Sequence, residues 1–141
     1  MNVLPETIRL SRREYAVMLH EANRKAPEEA CGLLAGTNDD GVRTIRKIYV
    51  LENAYHSPEH FRLNPAEQLA TIRNMRQNGL KPLGNWHSHP TTPSRPSAED
   101  IRLAFDKNAT YCILSLAGET PVLNAFHIEN GNVRKENLQI K

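Results

Sequence analysis

Apolar positions recur every three to four residues in two stretches of the chain and alternate or run unbroken in most of the rest. In "SRREYAVMLHEANRK", Tyr15, Met18, Leu19 and Ala22 fall on one side of a helical repeat. Ser11 is placed to cap this helix, Glu14 to close a capping box and Pro27 to end it. The stripe reads as core, not as a partner-binding face. In "NPAEQLATIRNMRQNG", Asn64 caps, Pro65 enters the first turn, Glu67 follows the cap by three and Gly79 stops the helix. Leu69, Ile72, Met75 and Arg76 define one side of it. "SAEDIRLAFDKN" predicts a third, short helix.

The remaining apolar segments read as strands. "MNVLPETIRL" leads in, with Ile8 and Leu10 on one face. "ACGLLAG" reads as a buried strand ended by Gly36, with "TNDDG" as the turn after it. "VRTIRKIYVLEN" is strand-like, but its alternation is too imperfect to assign faces. A strand begins after Pro82 in "LKPLGNWHSH", and "TYCILSL" and "VLNAFHIE" form a hairpin across "AGETP". "NGN" is a further hairpin turn, leading to an edge strand in "VRKENLQI". "AYHSPEHFRLN" has no period and reads as a loop or broken strand. Strands and helices interleave without repeat, linker or low-complexity segment. That predicts a single α/β or α+β layered domain over residues 1–141.

Composition changes this picture little. The net charge of +2 is too small to argue for a nucleic-acid or membrane partner. Cys31 and Cys112 lie in apolar runs and read as buried free thiols, in preference to a disulfide. No spaced cysteine pair suggests a zinc knuckle or a redox dithiol. The N-terminus lacks a basic start followed by an apolar run, and no apolar run approaches a membrane span, so the expectation is a soluble, cytoplasmic protein. An exposed sheet edge is open to a second copy, but no residue demands one, and the oligomeric state is not readable from the sequence.

The chemistry concentrates in "NWHSHPTTPSRPSAED". On a strand His87 and His89 point the same way, while Trp86 and Ser88 point the other. The proline-rich turn brings the chain back and delivers Ser97 and Asp100 at the cap and third position of the next helix. One reading is an ordinary helix start; the other makes Asp100 a third metal ligand. The two are compatible, since Ser97 can cap while Asp100 faces the histidines. Glu99, Asp106 and Glu136 lack this placement and read as surface. Two imidazoles and a carboxylate suit zinc, and three protein ligands leave a fourth position for water, the pattern of a catalytic site. Such a site needs a base. Glu28 and Glu29 both precede the buried run, where a charge is out of place, and the residues alone do not choose between them.

"EACGLLAG" and "HSHPTTPSRPSAED" together resemble the JAMM/MPN+ metallopeptidases over about Ser11 to Ile128. That family's pattern is a Glu, then H-x-H, ten residues and an Asp, with Ser three before it; ten residues separate His89 from Asp100 here. The resemblance implies zinc on His87, His89 and Asp100, Glu29 and not Glu28 as the catalytic base, and Ser97 as a contact for the tetrahedral oxyanion. It also implies a curved mixed sheet flanked by helices, similar to the cytidine deaminase layout. The chain lacks room for two long insertions. It is similar to the small bacterial members that act on sulfur-carrier proteins, releasing cysteine or another adduct from a Gly-Gly terminus. The alternatives are a deconjugase for ubiquitin-like tags and a non-catalytic interaction module.

On this reading the "HFRLN" loop and "TTPSRP" turn would wall a slot for the extended tail, with Arg62 and Arg95 facing an acidic carrier or merely solvent. His56 and His60, four apart, would contact substrate, lie on plain surface or hold a second metal. His20, His127 and Cys31 read as structural.

Overall fold

The computed structural model describes residues 6–141, so the first five residues of the predicted lead-in strand lie outside the described part. The elements run β1 (Thr7–Leu10), α1 (Arg12–Lys25), β2 (Cys31–Asp39), β3 (Val42–Leu51), α2 (Pro65–Gln77), β4 (Lys81–His89), α3 (Ala98–Arg102), β5 (Thr110–Ser115), β6 (Val122–Glu129), β7 (Asn132–Lys135) and β8 (Asn137–Ile140). The chain is thus α/β, with a mixed sheet flanked by helices. The strand order is β7-β6-β5-β4-β2-β3-β1-β8. β4 and β5, β1 and β3, and β1 and β8 are parallel; the other neighbours are antiparallel.

β7 and β8 occupy opposite edges of this sheet, yet only Glu136 separates them in sequence. The sheet must therefore curl until its edges nearly meet, as a near-closed barrel. Glu136 N–H donates to the Ala125 carbonyl on β6 at 2.9 Å, and Asn137 N–H to the Glu6 carbonyl beside β1 at 2.8 Å, stitching the seam. The single edge strand expected in "VRKENLQI" is in fact two strands serving both edges. Glu136, expected at the surface, is buried in the seam.

The two faces of the sheet carry different cores. One packs Leu34, Trp86, Cys112 and Leu114 against Met18 and Ala22 of α1. The other packs Leu33, Ala35 and Leu51 against Met75 of α2, and Tyr111, Ile113 and Ile128 against Ile101 of α3. The α2 stripe is narrower than its spacing suggested: Met75 is buried, but Leu69 is half exposed because the helix touches the sheet along one line only.

Three local expectations change. β2 does not end at Gly36 but continues through a bulge to Asp39, and the turn is confined to Asp40 and Gly41, both at positive φ. A Cβ on Gly36 would stand 1.8 Å from the Thr44 carbonyl oxygen, so glycine marks a close approach of two strands, not a stop. The strand expected after Pro82 starts at Lys81. Ser11 caps α1 by accepting from Glu14 N–H at 3.2 Å, and Glu14 does not complete the box. Both cysteines are free and buried. No helix among the described residues is long and apolar enough to cross a membrane.

Candidate metal centre

β4 is central in the sheet, with Cys31 of β2 and Ile113 of β5 beside His87. Trp86 turns to the α1 core, where its indole N–H donates to the Tyr49 carbonyl at 3.0 Å. His87 and His89 turn to the other face, between the packing zones of α2 and α3, and both are buried. After His89 the chain leaves the sheet in a turn pinned to its neighbours. The Ser94 hydroxyl donates to the Ile113 carbonyl at 2.6 Å, and the Ser115 hydroxyl to the Thr92 carbonyl at 2.6 Å. This fixes where α3 begins. Ser97 Oγ accepts from Asp100 N–H at 3.0 Å, and Asp100 Oδ2 accepts from Ser97 N–H at 2.9 Å. Here the capping box is complete, and the carboxylate that closes it is the one that meets the histidines.

The Nε2 atoms of His87 and His89 are 3.0 Å apart, and each lies 3.2 Å from Asp100 Oδ2. Nδ1 of His89 donates to the Pro93 carbonyl at 2.8 Å, which orients the ring with Nε2 toward the centre. Ligands about 2.0–2.1 Å from a tetrahedral zinc stand roughly 3.4 Å from each other. The observed triangle is slightly tighter, and its donor set is that of zinc, so these residues fit such an ion. Among the described residues this is the one group of three metal-type ligands. Burial opposes the charge on Asp100, but hydrogen bonds from both histidines hold its carboxyl well below the usual range. Burial, with the His89 charge adding, pushes His87 down against Asp100; for His89, Asp100 and the Pro93 carbonyl outweigh burial and push it up.

Glu29 joins this centre through Ser88. Ser88 Oγ accepts from Ala30 N–H at 2.8 Å, and Ser88 N–H donates to the Ala30 carbonyl at 2.9 Å. These bonds extend the β2–β4 register by one step beyond Cys31 and His87, placing Glu29 across from His89. Glu29 is 4% exposed, and its Oε1 has no hydrogen-bond partner within the chain. Burial pushes its carboxyl up to about 8, His89 opposing and the Asp100 charge adding. Glu28 instead points outward, 3.5 Å from His56. The geometry thus separates two glutamates that the residues alone left equivalent.

The loop from 52 to 64 covers the centre. Phe61 stacks on His87, ring centroids 4.4 Å apart, and His60 pairs with Glu99 of α3. Buried Asn53 holds this loop. Its Nδ2 donates to the carbonyls of Glu29 (3.2 Å) and His60 (2.8 Å), and its Oδ1 accepts from Tyr55 N–H (3.0 Å) and Arg62 N–H (3.2 Å). Sequence reasoning missed Asn53 and this use of Ser88, and it placed Phe61 in the wall of the slot without its stacking on His87. The available signal for Asn53 was a lone amide directly after a buried strand.

A cleft of about 460 Å³ opens beside His87 and Asp100. Phe61, Arg62 and Leu63 wall it as the loop expectation had it, but the 91–96 turn and Arg95 take no part; Leu103, Phe105 and Tyr111 form the opposite side. The turn is drawn instead toward β5 by the Ser94 and Ser115 bonds. Ser97 is exposed at the head of α3. His20 is exposed, and His127 lies half-buried 3.3 Å from Glu129.

The model of the prokaryotic homologs of the JAB domain matches residues 11–129, and the chain belongs to that family. It is 33% identical over 124 residues to the CysO-cysteine peptidase of Mycobacterium tuberculosis, covering 87% of this chain and 84% of that one. The desampylase of Haloferax volcanii is 32% identical over 93 residues, 65% of this chain and 66% of the relative. Among solved structures, protein DSY2949 of Desulfitobacterium hafniense superposes with a TM-score of 0.89 at 47% identity, covering 95% of this chain and 92% of that one.

Proposed function

We propose that this chain is a zinc-dependent peptidase that cleaves the bond after the Gly-Gly terminus of a small ubiquitin-like sulfur-carrier protein, releasing cysteine. The carrying observation is a buried glutamate with a free carboxylate oxygen beside two imidazoles and a carboxylate that converge on one point. Residues 1–141 act as one domain, which the family match over residues 11–129 supports, and the chain works in the cytoplasm. The curl of the sheet and the helices on both faces support a cytidine deaminase-like layout.

His87, His89 and Asp100 would hold the zinc, which when bound supplies Lewis acidity at neutral pH. Glu29 accepts the proton of the attacking water and returns it to the departing amine. Burial raises its carboxyl in the metal-free chain, the direction that makes a carboxylate a stronger base. The Ser97 hydroxyl, whose oxygen already accepts from Asp100 N–H, keeps its own hydrogen for the developing oxyanion. Phe61 and the Asn53-held loop keep water from one side of His87. The partner's tail enters as an extended strand along the cleft; neither nucleic acid nor membrane is involved.

The second reading is a deconjugase for ubiquitin-like tags. The cleft favours it, since about 460 Å³ exceeds what two glycines and a cysteine fill, and so does the likeness to a desampylase. A non-catalytic module would have no use for Glu29. The deciding experiment incubates zinc-loaded protein with a carrier bearing cysteine after Gly-Gly and follows intact mass. Loss of one cysteine residue supports the first reading. An unchanged carrier, together with cleavage of an isopeptide-linked conjugate, selects the second. Failure on both substrates overturns the peptidase assignment.

A further inference from the structure

Besides Glu29 Oε1, two buried atoms on the site face lack a hydrogen-bond partner within the chain, and they are of opposite kind. One is His87 Nδ1 and the other is Asn85 Oδ1. With Nε2 given to a metal at the centre it shares with Asp100 and His89, the neutral His87 ring carries its hydrogen on Nδ1, a donor. Asn85 Oδ1 is an acceptor. The two residues stand two apart on β4, so their side chains share a face, and both border the same cleft.

The neighbouring strands offer Asn85 Oδ1 no partner. Its register neighbours are Leu33 on β2 and Tyr111 on β5, both buried. The Tyr111 hydroxyl is already spent, donating to the Asp106 carbonyl at 3.1 Å and accepting from Asp106 N–H at 3.3 Å. An amide among apolar neighbours costs free energy unless it is used. The other histidine shows what the use is. His89 donates its Nδ1 hydrogen to the Pro93 carbonyl, which fixes the tautomer and the ring. His87 has Phe61 against its ring, but stacking fixes a plane without deciding which nitrogen carries the hydrogen.

We propose that Asn85 is the positioning residue for His87: its Oδ1 receives the His87 Nδ1 hydrogen across one buried water and so holds Nε2 ready for the metal. The spacing suits a bridge. Residues two apart on a strand stand about 6.6 Å apart, and two hydrogen bonds of about 2.8 Å through a water span the distance between such side chains. Partners of this second kind typically change metal affinity by about 10- to 100-fold. The inference rests on the metal centre proposed above and names a residue outside its ligands.

The test compares wild type, Asn85→Leu and Asn85→Asp by zinc competition against a chelator, by thermal melting of the metal-free proteins, and by the nitrogen NMR signals of the His87 ring with zinc bound. Asn85→Leu removes the acceptor and Asn85→Asp keeps one. The expected result is zinc affinity about 10- to 100-fold weaker in Asn85→Leu, affinity no weaker than wild type in Asn85→Asp, and a slowly exchanging Nδ1 hydrogen in wild type that Asn85→Leu loses. Metal-free Asn85→Leu should melt close to wild type, because Asn85 Oδ1 has no hydrogen bond to another residue to lose. Wild-type zinc affinity in Asn85→Leu overturns the inference, and a raised KM in that variant at unchanged zinc affinity assigns Asn85 to substrate instead. Should Asn85→Leu not fold, weakened zinc binding in Asn85→Asp overturns it equally. A wild-type protein that takes up no zinc is a different failure: it removes the metal centre itself.

Discussion

Glu29 and Glu136 are both buried glutamates on the sheet, and burial raises the pKa of both, to about 8 and about 7. Their surroundings differ. Glu136 sits in the barrel seam with both oxygens receiving the Thr110 hydroxyl, at 2.6 and 3.1 Å, while Arg43 donates to that same hydroxyl at 2.7 Å. Glu29 has an oxygen with no partner in the chain and faces the three convergent ligands. A carboxylate whose hydrogen bonds are all met by the fold has nothing left to offer a substrate. One kept unpaired at the cost of burial is held for a reaction. A raised pKa alone therefore does not mark the catalytic group, because both residues have it.

The largest effect that can break this comparison comes from exchanging each carboxyl for an amide. Glu29→Gln should lower turnover by about 10²- to 10⁴-fold, the range of a lost general base, with zinc content unchanged and melting temperature equal or higher. Glu136→Gln should keep wild-type turnover. Steady-state kinetics and metal analysis on the two variants decide it. Wild-type rates in Glu29→Gln would remove the base, and an equal loss in Glu136→Gln would show that seam and site are not independent.

The same contrast explains what could be read from the chain. His87, His89, Ser97 and Asp100 were legible because strand alternation and a helix cap are local rules acting within 14 residues. Glu136 was misread because "VRKENLQI" contains no sign that the strands on either side of it go to opposite edges of one sheet. β7 pairs with β6 across the hairpin just before it, but β8 pairs with β1 at the other end of the chain. Asn53 was missed for a related reason: the Glu29 carbonyl it binds lies 24 residues upstream. By residue type alone Glu29 was one of two candidates, and only the family resemblance preferred it to Glu28. The Ser88–Ala30 bonds that set the register supply the geometry that separates the two.

A smaller effect sharpens the site half of the comparison. Ser97 holds Asp100 by the reciprocal cap of a helix only five residues long. Ser97→Ala should cost about 1 kcal/mol of stability from the cap and weaken zinc binding, because Asp100 loses the bond that fixes its backbone. At saturating zinc a residual drop in turnover of about 10²-fold should persist, the share of one oxyanion donor at the modest end. Full recovery of turnover on adding zinc would leave Ser97 a cap and nothing more.

The smallest effect tests the seam. In the unfolded chain Glu136 titrates near its ordinary 4.5, and in the fold near 7, burial being the main cause and Glu6 adding to it against Thr110 and Arg43. Between those values the folded protein holds a proton that the unfolded chain has released. That contribution to stability is complete below about pH 4.5 and is lost as pH rises through 7. Glu136→Gln carries no such proton. Urea unfolding of the metal-free wild type and variant at pH 5 and pH 8 should therefore show the gap between them shifting against wild type at the higher pH. Glu29 titrates in both proteins and cancels from that difference, which isolates the seam from the site. A gap that does not move with pH would mean that Glu136 is ionised throughout, held by Arg43 and Thr110. The two buried glutamates would then differ in charge as well as in hydrogen bonding.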